Sequence, residues 1–344
     1  MAHDSFMVPP TKTPNTSNTT AGRQTTTKTR DDIASATMSS LSSVADRIDK
    51  ELSKATTTTT TTTTKPNTVN RGNVVDNDTW NEPTDTGPSS IPRGRDSNGT
   101  HVFSSVKEMW LSQGVLSTGK NKEWYERAAD YYEQNCDTTV NGVLGGFASI
   151  SDMDLNWSRS FLHNLRSQRP SLDWTTGAAC ECGAGIGRVT KGLFLPLDVP
   201  RCDLVESSAR LLGTAPDYIG DPGAERCRFY CEGLQDWEPP VGTYSIVWIQ
   251  WVLIYLTNAD IVAFLKRCGQ SLRPGGVVVL KENTCEEDDF VLDSDDASVT
   301  RSRVYWRKLI DEAGLRIVHE EVQDDFPEEL FPVPILALEV KQDE

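Results

Sequence analysis

The chain has 344 residues, enough for one large domain with additions, and carries 34 basic against 50 acidic side chains, a formal net charge of −16. That balance argues against direct nucleic-acid binding and against attraction to anionic membrane surfaces. Eight cysteines without a C-x-x-C pair, and four histidines in all, offer no ligand set for zinc, so no metal is expected.

Residues 1–100 are rich in Thr, Ser, Asn, Asp and Pro, with an unbroken threonine run at Thr56–Thr64. So polar a stretch buries too little apolar area to offset the entropy of ordering it. It reads as a disordered low-complexity extension, dispensable for catalysis. Asp31–Lys54 carries a weak helical stripe (Leu41, Val44, Ile48, Leu52) with no second helix nearby to pack on. The N-terminus shows no hydrophobic signal segment, and no apolar run is long enough to span a bilayer. A monomer of the cytoplasm or nucleus, without membrane contact, is expected. The folded domain is assigned to 101–344, with order from near Val102.

Trp124–Gln134 has helical aromatic spacing and predicts a helix. Val140–Ile150 follows as a glycine-rich loop in which Gly145-Gly146 is flanked by Leu144 and Phe147. It suits either a lid over a pocket or a loop packed on the core. Asp152–Gln168 is a predicted helix with an acid-rich start and Trp157, Phe161 and Leu165 on one face.

Ala178–Cys182 is a short apolar run leading into Glu181-x-Gly183-x-Gly185-x-Gly187, then a helix opening near Ile186. Alternating glycines let the backbone bend sharply and approach a ligand, and the helix start behind them offers unpaired N–H groups. A dinucleotide loop would need glycine where Arg188 stands, so a cofactor without a pyrophosphate is favoured.

The remaining strands are predicted at Cys202–Val205, Cys227–Cys231, Tyr244–Ile249, Val277–Leu280, Arg316–Val322 and Ile335–Val340, with helices at Ala259–Leu272 and Arg301–Ala313. The alternation predicts a doubly wound, seven-stranded α/β sheet whose last two strands form an antiparallel edge. Ligands of such sheets lie at the carboxyl ends of the strands, where Gly183, Glu206, Gln235, Gln250 and Asn283 would gather. Glu206, ending the second strand, is placed to accept hydrogen bonds from a ribose diol.

Six segments sharpen this: VNGVLGGFASISDMD, CGAGIGRVTK, GLQDW, WIQWVL, SLRPGG and VLDSDDASVTR. Together they resemble the α-N-terminal protein methyltransferases, the N-terminal Xaa-Pro-Lys family, over about Trp124 to Leu338. The resemblance implies a Rossmann-like methyltransferase sheet with an N-terminal helical lid, S-adenosylmethionine as cofactor, and protein N-terminal tails with a basic third residue as partners. It implies Gly183 and Arg188 at the methionine end of the cofactor and Gln250 near it. Glu206 would bind the ribose, and Leu234 and Gln235 would border the adenine. Trp251 and Asn283 would hold the first two substrate residues. Leu144, Ile150 and Leu330 would line the pocket for a proline, and Tyr131 would close over it. Asp293, Asp296 and Ser298 would face the amino end and the basic third residue.

The acidic run supports the last point from the residues themselves. Residues 1–120 hold 13 basic and 12 acidic side chains, and the rest of the chain holds 21 and 38, so a basic partner fits the C-terminal part. Residues 286–296 hold seven acids in eleven positions. Glu286–Asp289 reads as a solvated loop, whereas Asp293 and Asp296, flanking the next helix, read as functional.

The chain departs from the family at Tyr255, where a histidine thought to help take the amine proton is common, and at Glu181 and Glu206, where aspartate is more usual. A phenol with a pKa of about 10 is a poor acceptor at neutral pH. Asp296 is therefore expected to take the proton, directly or through water, with Tyr255 and Asn283 completing the catalytic set. Two other classes share the glycine turn: a small-molecule amine or hydroxyl methyltransferase, and a binding module that has kept the fold.

Overall fold

The computed structural model of the protein describes residues 93–115, 121–286 and 288–341, which belong to one compact unit. The expectations for 1–92, the threonine run and the Asp31–Lys54 stripe included, lie outside the described residues. Regular structure is present ahead of Val102: Gly94–Asp96 forms strand β1 and Val102–Phe103 forms β2.

Helices α1 (Val106–Ser112) and α2 (Lys122–Asn135) come next. The expected loop at Val140–Ile150 is partly helical, with a single turn α3 (Val140–Val143) and a 3₁₀ turn at Ala148–Ile150. Thr139 caps α3 by accepting from the Gly142 amide, which fixes where the turn begins. Helix α4 (Ser151–Gln168) then leads to β3 (Ala178–Cys182). The helix expected after the glycine turn is short and widens into a π-helical turn at Thr190–Phe194.

The chain continues through β4 (Arg201–Val205), α5 (Ala209–Ile219), β5 (Cys227–Tyr230) and β6 (Tyr244–Gln250). A 3₁₀ turn, Leu253–Tyr255, precedes α6 (Asn258–Ser271), β7 (Leu272–Lys281) and β8 (Thr284–Cys285). Strands β9 (Phe290–Asp293) and β10 (Ser298–Ser302) precede α7 (Arg303–Glu312), β11 (Leu315–Gln323) and β12 (Val333–Val340). Ser208, Thr257 and Ser302 cap α5, α6 and α7 through their hydroxyls.

The main sheet runs β11-β12-β7-β6-β3-β4-β5. Strands β3 to β7 are mutually parallel, and β12 pairs antiparallel with β7 and β11, so the expected doubly wound sheet and its antiparallel edge are present. Side chains alternate across it. Cys180, Val247 and Ile249 pack on one face with Trp110, Trp124, Phe264 and Leu309. Ala179, Ile246 and Trp248 pack on the other with Phe161, Leu165, Phe194 and Ala215. Strand order reverses at β3, between β4 and β6, which opens a crevice at their carboxyl ends.

A second sheet, β2-β1-β9-β10-β8, departs from the sequence reading. Beyond Asp289 the acidic run is not a loop flanking a helix. It forms an antiparallel hairpin in which Asp293 ends β9, Ser298 opens β10 opposite it, and Asp296 lies in the turn. The period-two signal was hidden because both faces are buried and the turn's left-handed residue is Ala297, not glycine.

Candidate active site

A cavity of about 510 Å³ opens at the crevice, lined among others by Gly183, Arg188, Glu206, Leu234, Gln235, Gln250, Trp251 and Tyr255. All six expected cofactor residues are thus brought to one space. The turn is built by backbone angles: Gly183, Gly185 and Gly187 have φ of 70°, 54° and 80°. At Gly183 the constraint is also steric, since a Cβ there would lie 2.6 Å from Val252. Glu181 does not point at a ligand. Its carboxylate accepts the amides of Val189 (3.2 Å) and Thr190 (2.7 Å) and so anchors the start of the helical segment. Burial pushes its pKa up to about 7 against the pull of those amides and of Arg188. Glu206 accepts from the amides of Gly185 (2.9 Å) and Ser208 (2.8 Å), which fixes its carboxylate at the cavity edge, and burial raises its pKa.

Arg188 is held from behind. Its Nη2 lies 2.8 Å from Asp154 Oδ2, and both side chains are buried. Asp154, on α4, is also bonded by Gln250 Nε2 at 2.9 Å and by Lys281 Nζ at 2.5 Å. One carboxylate therefore ties together the glycine turn and the ends of β6 and β7. Burial alone would raise its pKa, but Lys281 and Arg188 outweigh burial and hold it below the usual range. Burial lowers the Lys281 pKa, and Asp154 opposes that change. Gln250 is locked by Trp248, whose Nε1 donates to its Oε1 at 2.8 Å. Arg188 Nη1 is buried and has no hydrogen-bond partner among the described residues. A buried guanidinium N–H of this kind calls for an anionic acceptor in the cavity.

The apolar residues expected to line a proline pocket meet in one cluster. Leu144, Ile150 and Leu330 are buried together, with Val143, Phe147, Trp251 and Phe326 packed against them. Trp251 adopts φ 52°, unusual for a bulky residue, and its amide donates to Lys281 O at 3.1 Å. Asn283, Asp293, Asp296 and Ser298 are all buried polar groups. The amide of Asp295 donates to Asp293 Oδ1 at 2.9 Å.

On α2 it is Tyr132 that lines the cavity, with Tyr131 edge-on to it at 5.8 Å between ring centroids. The hydroxyls of Tyr132 and Tyr255 are hydrogen-bonded, their rings edge-to-face at 5.3 Å. Burial, and next the charge of Asp296, push the Tyr132 pKa up. Tyr255 is thus part of a phenol pair beside Asp296. Trp124, Ala128 and Tyr132 recur every four residues, a spacing that places Tyr132 on the inward face.

Residues 120–339 match the family model of AdoMet-dependent proline di-methyltransferases. N-terminal Xaa-Pro-Lys N-methyltransferase 1 of Mus musculus and of Homo sapiens are each 41% identical over 219 residues, which cover 63% of this chain and 96% of theirs. A SAM-dependent methyltransferase of Leishmania major is 36% identical with a TM-score of 0.65, over 74% of this chain and 99% of that one. The chain belongs to the AdoMet-dependent proline di-methyltransferase family.

As a methyltransferase of this family it uses S-adenosylmethionine, and its residues fit that group. The unpartnered Arg188 Nη1 suits the cofactor's carboxylate, the glycine turn leaves room for a close backbone approach, and the fixed Glu206 suits the ribose diol. Sequence reasoning missed Asp154, Lys281 and Tyr132. Lys281 had a signal: a charge at the end of an apolar strand, Val277–Leu280, buried on both faces needs a partner.

Proposed function

We propose that this methyltransferase transfers methyl groups to the α-amino group of proteins whose N-terminus begins Xaa-Pro-Lys or Xaa-Pro-Arg. The observation that carries the reading is an apolar cluster (Leu144, Ile150, Leu330, Trp251) of which Leu144 and Trp251 line the cavity, together with a buried acidic hairpin whose Asp296 acts electrostatically on Tyr132, another lining residue. A pocket for proline beside acids for a cation is what that tail requires, and a small-molecule substrate would need neither.

S-adenosylmethionine, when bound, supplies an electrophilic sulfonium methyl. Arg188 and Gln250 orient its amino-acid end and Glu206 its ribose, while Leu234 and Gln235 border the adenine. Trp251 and Asn283 place the substrate's first two residues, and Tyr131, next to Tyr132 on α2, closes over the tail. Only a neutral amine is nucleophilic. An α-amine with a pKa of about 8 is on the order of one-tenth neutral at pH 7. Asp296 takes the proton from the remainder, and the Tyr132–Tyr255 pair orients the amine. Asp293 and Ser298 face the basic third residue. Catalysis then rests on proximity and orientation, with no covalent enzyme intermediate.

The reading takes the enzyme as a monomer of the cytoplasm or nucleus, without nucleic-acid or membrane partners. Among the described residues no helix is long and apolar enough to cross a membrane. The test is methylation of an Xaa-Pro-Lys peptide followed by mass spectrometry, beside its N-acetylated and Xaa-Ala-Lys counterparts and free small amines. The Xaa-Pro-Lys peptide should be the best substrate and the acetylated one inert. A higher kcat/KM for a free amine would overturn the assignment.

A further inference from the structure

The hairpin that carries Asp293, Asp296 and Ser298 is held by a segment ahead of the family-matched region. The match begins at residue 120, whereas β1 and β2 lie within 94–103. We infer that this segment positions the substrate-reading hairpin, and that Gly94 and Arg95 are its positioning residues. The inference rests on the proposed role of the hairpin's acids.

A two-stranded hairpin is marginal alone and needs a neighbour. On the β10 side the neighbour is β8, which is only two residues long and pairs at Arg301 and Ser302, the end remote from the acids. On the β9 side, β1 pairs in parallel at Gly94↔Phe290, Arg95↔Val291 and Asp96↔Leu292, and so reaches the residue before Asp293. The Ser97 amide adds a bond to Leu292 O at 2.7 Å. The acid-bearing end of the hairpin therefore takes its strand support from β1.

Three further contacts fix that register. The Asp289 amide donates to Arg93 O at 3.0 Å, and the Arg93 amide donates to Asp289 Oδ2 at 2.9 Å. Arg95 Nε lies 3.0 Å from Asp288 Oδ2. The acids at 288 and 289, which read from sequence as solvated, thus hold the N-terminal strand. Gly94 sits flush on Phe290: a Cβ there would come within 2.2 Å of Phe290 O and 2.5 Å of its ring. On the far side β2 contributes Phe103, buried with its ring 6.1 Å from that of Phe290. The part of the chain dispensable for catalysis then ends at 92, not 100.

Full-length Gly94→Val separates β1 from β9 without touching any residue of the cavity. The peptide KM should rise about tenfold while cofactor Kd, measured by calorimetry, stays within about twofold. Hydrogen exchange at the amides of β9 and β10 should accelerate by about tenfold or more, while β3 and β6 stay protected. Arg95→Glu should weaken the peptide in the same way, and adding Asp288→Arg should restore it. If Gly94→Val leaves hairpin exchange and peptide KM as in the wild type, the inference is wrong. If exchange accelerates but KM does not change, β1 serves stability alone and the positioning role is also lost. If the wild-type chain ignores the peptide while exchange still accelerates, the substrate assignment fails, and the inferred role in substrate reading falls with it.

Discussion

The cofactor side and the substrate side of the cavity are built in different ways. The cofactor side is mostly local: the glycine turn, Arg188 and Glu206 follow one another across β3 and β4, and backbone amides set the turn and Glu206, while Asp154 holds Arg188. The residues proposed to read the substrate come from distant pieces of the chain: α2, the Leu144–Ile150 turn, the β9–β10 hairpin and Leu330. A locally encoded site keeps its geometry when its surroundings loosen. A site assembled over long sequence distances depends on whatever braces it, so the two sides should fail separately.

The largest expected effect breaks that separation, because Asp154 serves both the turn and the ends of β6 and β7. Asp154→Asn leaves Lys281 and Arg188 buried and uncompensated, and should destabilise the fold by about 3–5 kcal/mol in denaturant unfolding. The double variant Asp154→Leu, Lys281→Met should regain much of that stability yet still bind cofactor poorly, because Arg188 has lost its anchor.

The next prediction stays on the substrate side. Asp296→Asn should lower kcat about a hundredfold, about 2.7 kcal/mol of barrier, with cofactor Kd unchanged. Tyr255→Phe should cost far less, and Tyr255→His should be tolerated, in single-turnover assays with an Xaa-Pro-Lys peptide. Loss of turnover in Tyr255→Phe but not in Asp296→Asn would reverse the assignment of the base.

Asp293→Asn should raise KM about tenfold for a peptide with lysine at position three, and much less for one with a neutral residue there, as expected for a charge-assisted contact. Equal losses on both would make Asp293 a folding residue.

The smallest effect is a slope. Glu282 accepts the amides of Val252 and Leu253 at 3.0 Å each, and burial pushes its pKa up from 4.5 to about 8. Across that window the folded chain holds a proton that the unfolded chain has released. The stabilisation is complete below pH 4.5 and is lost as pH rises through 8, at no more than about 1.4 kcal/mol per pH unit. Glu282→Gln should flatten that part of the stability–pH curve, measured by chemical denaturation at fixed salt.

The same contrast explains what was legible in the sequence. The seven strands of the main sheet, the glycine turn and Glu206 are signalled by short apolar runs and by spacing within a few residues. The β9–β10 hairpin was not, because its charges suggest solvent while its strands are buried. Asp154 looked like an ordinary acid at a helix start. Its partners lie 34, 96 and 127 positions away, beyond any local pattern. Tyr132 is legible in principle from the four-residue period through Trp124 and Ala128, whereas the family resemblance points to its neighbour Tyr131. For β1 there was no signal: three residues, one of them glycine, make a strand only because β9 is there to receive them.

Of the buried Asp154–Lys281–Arg188 group it is Arg188 that lines the cavity, its Nη1 without a hydrogen-bond partner among the described residues. On the proposed reading that guanidinium would hold the amino-acid part of the cofactor, which is the same before and after the methyl group leaves. The anchor therefore cannot tell a fresh cofactor from a spent one. Discrimination must come from the region facing the sulfur, where a positive charge disappears on transfer. Strengthening the anchor would slow departure of the spent molecule as much as it helped arrival of the next. Above a modest affinity, tighter binding at Arg188 would make turnover slower.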